Sequence, residues 1–335
     1  MELTDRASEF DPRPIAPKLL LEGPLAALLD WQAMAEGAYS ANTLRAQKAD
    51  GVIFQAFCEL RGEPYLPADP KTIRAFIETQ VKAGKKPATV KRYVATIARV
   101  HIAAGLLNPC SSEAVRLGLK KMGRETSARQ DQAHPLGWKE IKEFIDGAGE
   151  SLRSDRERAM LCVAYETLAR RGELVALEVR DIDFHPNGTG QALIRRGKTD
   201  AEGQGRVAYL SRGTVKWLKV WLEHSKITEG AVFRRLIGKA QVGGPLNPGS
   251  IAPIFKRVAR WIGMPERFVD RVSGHSTRVG ATQDLAALDI DLAAITQAGG
   301  WKSTRMPLQY AERINAARSG MARAAEKSGR DSIAE

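Results

Sequence analysis

From Leu25 to about Lys120, apolar residues recur at helical spacing almost without a break. Ser40-Ala41-Asn42-Thr43 reads as a helix start, with Val52, Ile53, Phe54, Phe57 and Leu60 as the packed face of that helix. Pro67-Ala68-Asp69-Pro70 caps a second helix carrying Ile73, Phe76 and Ile77, and Pro87-Ala88-Thr89 opens a third with Val90, Tyr93, Val94, Ile97 and Val100. Helices that each show one apolar stripe must bury it on one another, so residues 25–123 are expected to form a bundle of four or five helices. Residues 1–24, with Pro12, Pro14, Pro17 and Pro24, have no such period and read as a loose arm.

The period is lost at residues 124–135, a polar run read as a linker. Beyond it helical patterns return, but Gln191–Arg195 and Arg206–Leu210 alternate as strands do, with a Gly-rich connection between them. Val179 to Phe184 reads as a third strand. The expected fold is mainly α: an N-terminal helical bundle, then a mixed domain at 136–310 whose helices carry a small antiparallel sheet. The Ala-rich tail, 311–335, places Ile314, Ala317 and Met321 at helical spacing. There is no internal repeat.

Composition narrows the function. The 335 residues hold 51 Lys and Arg against 39 Asp and Glu, a formal charge of +12, which favours a polyanionic partner such as nucleic acid. Cys58, Cys110 and Cys162 are odd in number and far apart, so they read as buried thiols in a reducing compartment and not as a disulfide framework. No Cys/His spacing suits zinc, the first residues lack an apolar signal core, and no run is long enough to span a bilayer; a cytoplasmic protein is expected.

The chemistry concentrates late in the chain. Arg170 and Glu173 stand in Leu168-Ala169-Arg170-Arg171-Gly172-Glu173, Lys198 lies between the two expected strands, and His275-Ser276-Thr277-Arg278 is followed by Gly299-Gly300-Trp301 and Tyr310. Arg170, Arg278, Lys198, His275 and Trp301 supply positive charge and hydrogen-bond donors, which is what a phosphate requires. A tyrosine phenol, with a pKa of about 10, needs such surroundings to attack phosphorus. Fixed cations here would neutralise the charge that magnesium otherwise balances, so neither metal nor cofactor is expected. Glu173, three residues after Arg170 on a helix, would brace it. Taken singly each residue has a plain structural explanation: an exposed Arg pair, a loop lysine, a core tryptophan. Gly197-Lys198-Thr199 is no P-loop, because Ala192 stands where its first glycine belongs. His101, His134, His185 and His224 read as structural.

Taken together, the order Arg, Lys, His-x-x-Arg, Trp and Tyr resembles that of the tyrosine recombinase (phage integrase) family. The likeness runs from about Tyr39 to the tail and is dense over 273–310. It implies the DNA breaking-rejoining fold, a 3′-phosphotyrosine on Tyr310 with release of a 5′-hydroxyl, and a scissile phosphate held by Arg170 and Arg278. It further implies that Trp301 donates to that phosphate, His275 assists proton movement, Lys198 acts as general acid and Glu173 supports the set. The alternatives are a DNA-binding regulator without cleavage, and a type IB topoisomerase or telomere resolvase; the complete catalytic set argues against the first, the short chain against the second.

The bundle carries a cationic run, Lys82, Lys85, Lys86, Lys91, Arg92 and Arg99, without an intervening acid, joined by Arg45 and Lys48. Lys256, Arg257 and Arg260 form a second basic helix. Both are expected to grip double-stranded DNA, mostly at phosphates, with Arg45 and Arg92 near the major groove by resemblance. Gly249 or Ser250 stands where the resemblance would place a base-reading arginine, so a target sequence of its own is expected, built as inverted-repeat half-sites around a spacer. The resemblance also implies a monomer in solution, a homotetramer on two synapsed sites with the C-terminal helix exchanged between subunits, and a Holliday junction.

Overall fold

The computed structural model describes residues 23–126, 131–195, 204–238 and 241–330. The chain divides into two compact units, Met1–Gln130 and Asp131–Glu335. The expected arm lies almost wholly outside the described residues.

Among the described residues the first unit holds five α-helices: α1 (Pro24–Ala35), α2 (Ala41–Glu59), α3 (Pro70–Lys82), α4 (Pro87–Ala103) and α5 (Glu113–Glu125). The anticipated starts are the real ones. Ser40 Oγ accepts from the Thr43 amide at 3.2 Å, Asp69 Oδ1 accepts from the Lys71 amide at 2.6 Å, and Pro70 and Pro87 sit at first-turn positions where a missing N–H costs nothing. Phe54, Cys58, Ile73, Phe76, Ile77, Val90, Tyr93, Val94, Ile97, Val115 and Met122 make the core. The expected face of α2 needs correction. Val52 and Ile53 are exposed, and Leu60, just past the helix end, is 89% exposed. At 3.6 residues per turn these positions point roughly 100° or more away from Phe54, and Asp50, Phe54, Phe57 and Cys58 form the inward stripe instead.

The run expected as linker contains the division between the two units. Its first residues extend α5 to Glu125, residues 127–130 lie outside the described residues, and its end is bonded into the second unit. There the His134 amide donates to Arg271 O at 3.0 Å, its ring stacks on Phe268 at 4.6 Å, and the Leu136 amide donates to Ser276 O at 3.0 Å. Glycine makes that approach possible, since a Cβ on Gly280 would fall 2.2 Å from Leu136 O.

The second unit opens with α6 (Trp138–Gly147), α7 (Leu152–Glu166) and α8 (Arg171–Ala176). Ten consecutive residues of α7, Asp155 to Ala164, are buried, so this helix is the spine of the unit. A three-stranded antiparallel sheet follows, β1 (Ile182–Phe184), β2 (Gly190–Ile194) and β3 (Arg206–Leu210), with Ile194 opposite Arg206 and Gly190 opposite Leu210. Of the expected third strand, Val179–Asp181 is a 3₁₀ turn and only Ile182–Phe184 pairs. After α9 (Arg212–Ser225), β4 (Arg234–Ile237) and β5 (Gln241–Pro245) form a hairpin that sequence reasoning passed over, because its Arg- and Gly-rich text lacks the β-branched alternation of a strand.

Then come α10 (Ile251–Trp261), α11 (Glu266–Val269), α12 (Ser276–Ala287), α13 (Leu292–Ala298) and α14 (Arg305–Tyr310). The tail is not one helix but two, α15 (Glu312–Ala317) and α16 (Gly320–Lys327), because Ser319 caps a new start with its hydroxyl on the Ala322 amide. Ile314 packs near Ala286, Ile295 and Ala311, and Arg318 donates to Ala286 O at 2.8 Å and Ala287 O at 2.6 Å, fixing α15 to the end of α12. Beyond it, α16 has no buried residue, and Met321 is exposed.

Candidate active site

Arg170 is the residue before α8, extended at φ −71° and ψ 154°, and Glu173 is the third residue of the helix. That spacing lets one carboxylate serve twice: Glu173 Oε2 accepts from the Arg170 amide at 3.0 Å and Oε1 from Arg170 Nη1 at 2.6 Å. Glu173 is buried, and Arg170 keeps a partly open side chain, so the acid fixes the arginine without covering it. The contact read from the sequence is present, but Arg170 makes it from the cap position before the helix and not from the helix itself.

His275 precedes α12 and Arg278 lies on its first turn. A serine pair shapes the entry: the Ser273 amide donates to Ser276 Oγ at 2.9 Å and the His275 amide to Ser273 Oγ at 3.2 Å. Arg278 is almost wholly enclosed, at 1% exposure. Its Nη1 donates to Leu168 O and its Nη2 to Gly299 O at 2.6 Å, and its guanidinium carbon sits 4.0 Å from the Trp301 ring centroid. Burial, and then the charge of Arg170, push its pKa down to about 9, with Glu173 and Tyr310 acting in the opposite sense. It remains a cation at neutral pH. His275 is exposed, yet the protein packed about it, followed by the charges of Arg278, Arg170 and Arg171, holds its imidazole below the ordinary histidine range.

The Gly-Gly-Trp text has a steric reason. A Cβ on Gly299 would fall 1.9 Å from the Trp301 ring, and Gly300 adopts φ 59°. Only glycines let the chain double back so that the indole covers Arg278. Tyr310, the last residue of α14, meets Trp301 edge-on with ring centroids 6.1 Å apart. Its backbone carbonyl accepts from Gln132 Nε2 at 3.2 Å and Gln283 Nε2 at 3.1 Å. One chain therefore brings together Arg170, Glu173, His275, Arg278, Trp301 and Tyr310. Lys198 lies outside the described residues.

One residue of the site was missed in the sequence. Arg206 donates through Nη1 to Ala298 O at 3.0 Å and through Nη2 to Thr167 O, and lies 4.0 Å from Glu173 Oε2. Its signal was the strand period. It shares a face with buried Ala208 and Leu210, and an arginine on the core side of a strand needs a polar destination.

The expected DNA-contacting residues fall into two kinds. Arg45, Lys48, Lys85, Lys86, Lys91 and Arg92 are exposed on or beside α2 and α4. Arg92 Nη2 also donates to Asp50 Oδ1 at 2.8 Å, a buried carboxylate that accepts from Thr96 as well, so its guanidinium is tied to the bundle. On α10 the cations are engaged within the second unit: Lys256 Nζ donates to Asp270 O at 3.0 Å, Arg257 pairs with buried Glu157, and Arg260 Nε reaches both oxygens of Glu266 at 3.1 Å.

Fold and site define a class, the tyrosine recombinases. Residues 136–316 match the phage integrase family, and the chain belongs to that family. It is 30% identical over 285 residues to an integrase/recombinase xerD homolog of Selenomonas ruminantium, with 82% of each chain covered. It is 27% identical over 288 residues to the recombinase Cre of Escherichia phage P1, covering 81% of this chain and 84% of the other. Among solved structures, the Tn1549 transposon integrase in complex with transposon right-end DNA shares the fold at a TM-score of 0.60 and 14% identity, covering 89% of this chain and 99% of the other. A lambda integrase dimer bound to a core site does so at 0.54 and 17%, covering 85% and 94%. No helix among the described residues is long and apolar enough to cross a membrane.

Proposed function

We propose that this recombinase exchanges DNA strands at a site of its own through a 3′-phosphotyrosine and a Holliday junction. The observation that carries the reading is the stack Arg278, Trp301, Tyr310 within one chain, 4.0 Å and 6.1 Å between successive groups, beside an open Arg170. The Tyr310 oxygen attacks phosphorus as the bond to the 5′ oxygen breaks. The phenolic proton moves away with the help of His275, and the departing 5′ oxygen takes a proton from a general acid, the role the resemblance gives to Lys198. Arg170 and Arg278 balance the charge that grows on the non-bridging oxygens in a water-poor setting. The covalent bond retains the phosphodiester energy, so a 5′-hydroxyl from a second duplex reverses the step without ATP.

The partner is double-stranded DNA with inverted-repeat half-sites. The exposed cations of α2 and α4 supply the phosphate grip, and the internal pairing of Lys256, Arg257 and Arg260 makes α10 the lesser contributor. The protein is a monomer when free and a tetramer on two synapsed sites. Because Arg318 fixes α15 within its own chain, the exchanged element is α16.

The test is a capture experiment. A library of duplexes with randomised inverted repeats around a nicked spacer is incubated with the protein, and denaturation-resistant protein–DNA adducts are isolated. The expected result is enrichment of one inverted repeat by the native protein and none by Tyr310→Phe. Repeated failure to trap an adduct would leave a DNA-binding regulator. Supercoil relaxation without strand exchange between two selected sites would indicate a topoisomerase.

A further inference from the structure

Two guanidiniums span the same pair of chain segments. Arg278 links Leu168 O to Gly299 O, and one residue back on each segment Arg206 links Thr167 O to Ala298 O. Thr167 closes α7 and Ala298 ends α13, where carbonyls have no partner within the helix. The two stapled segments run directly into Arg170 on one side and Trp301 on the other.

Gly300 lies against the Arg206 stem: a Cβ there would come 2.7 Å from Arg206 Cδ. Arg206 is 17% exposed, and burial, its largest influence, holds its pKa below the ordinary arginine value while Glu173 supports the charge. A merely space-filling position on this face of β3 would suit an apolar side chain better than a desolvated cation. Both terminal nitrogens of Arg206 are occupied by carbonyls, as those of Arg278 are.

We propose that Arg206 is a positioning residue of the cleavage site, holding the Arg170 and Trp301 segments in register and supporting Glu173 in its grip on Arg170. The proposal rests on the phosphoryl-transfer reading above. Arg206 acts through its neighbours, as the outer member of a double arginine staple whose inner member, Arg278, lies against Trp301. A displacement of Arg170 by an ångström would slow attack while leaving the DNA-binding surface intact.

The test uses the full chain and the DNA site recovered by adduct capture. R206M and R206K are compared with the native protein for single-turnover adduct formation at saturating DNA, for dissociation constant, and for melting temperature. R206M is expected to form adduct roughly 10- to 100-fold more slowly, with DNA affinity unchanged. R206K keeps the charge but cannot span two carbonyls, so it should remain at least about fivefold slow. If R206M does not fold, R206K carries the comparison. A double-mutant cycle with E173Q separates positioning from scaffolding: the combined variant should be within about twofold of the slower single one, because the two act as a unit. Adduct rates within about twofold of native in R206K, or losses that multiply in the double variant, would overturn the proposal while leaving the recombinase reading intact. Absence of any adduct with the native protein would overturn both.

Discussion

The guanidinium of Arg278 lies 4.0 Å from the centre of the Trp301 ring and donates to the carbonyl of Gly299, two residues before that tryptophan. The same short turn thus supplies the arginine with a carbonyl acceptor and an aromatic lid. That lid in turn meets Tyr310.

Gly299→Ala should therefore be a severe catalytic lesion. Its methyl group would occupy the space of the indole, which must leave Arg278 and Tyr310. Adduct formation is expected to fall about 100-fold or more, with a changed tryptophan emission spectrum and DNA affinity retained. Gly172→Ala is the control, since a Cβ there meets nothing and the helix gains about 0.5–1 kcal/mol in propensity. Equal effects of the two changes would show that the turn is not specifically built for the ring.

Neutral His275 is the form that can accept a proton. Its pKa is lowered by the protein packed about the ring and by Arg278, so the ring stays neutral below the usual midpoint of about 6.5. The acid limb of adduct formation at subsaturating DNA, which reports the free protein, should fall below pH 6.5. At saturating DNA a bound phosphate favours the charged ring, and the limb should move upward. His275→Gln should flatten it. A limb at or above pH 6.5 in the free protein would contradict the assignment.

The two groups of expected DNA contacts should separate by salt. Lys91→Ala is expected to reduce the slope of log affinity against log salt by about 1, as loss of one phosphate contact does. Arg257→Ala should leave that slope alone and instead lower stability by about 1–2 kcal/mol, discounted for a half-exposed arginine, because it leaves buried Glu157 with Arg156 as its remaining partner. Binding isotherms at several salt concentrations together with thermal melts decide the matter.

Removal of residues 319–335 should spare the monomer. Arg318 and the α15 contacts remain, so the melting temperature should be unchanged and cleavage of a nicked site should persist. Sedimentation on paired sites should show loss of the tetramer and of strand exchange. Retention of both would remove α16 from the assembly.

Much of this is legible in the sequence. Helix starts at Ser40, Asp69 and Pro87 were readable because capping is local chemistry. The Arg170 and Glu173 pair was readable because the residue before a helix and the third residue within it lie in side-chain reach. Arg206 escaped because its partners, Thr167 and Ala298, are remote in sequence and are backbone carbonyls that no side-chain pattern announces. For α2, stripe and periphery were confused because Val52 and Leu60 are as apolar as Phe54, and only the neighbouring helices decide which face is covered. The internal pairing of Arg257 was hidden likewise, with Glu157 exactly one hundred positions away and buried in a helix whose charges the sequence gives no sign of enclosing.

The central claim is that the oxygen of residue 310 becomes bonded to DNA phosphorus. Mass mapping of the denatured, protease-digested adduct measures this directly. The account predicts nucleotide mass on the peptide containing Tyr310, attached through a 3′-phosphate, and no adduct from Tyr310→Phe. Nucleotide on any other peptide, or an adduct that survives the loss of that hydroxyl, would contradict it.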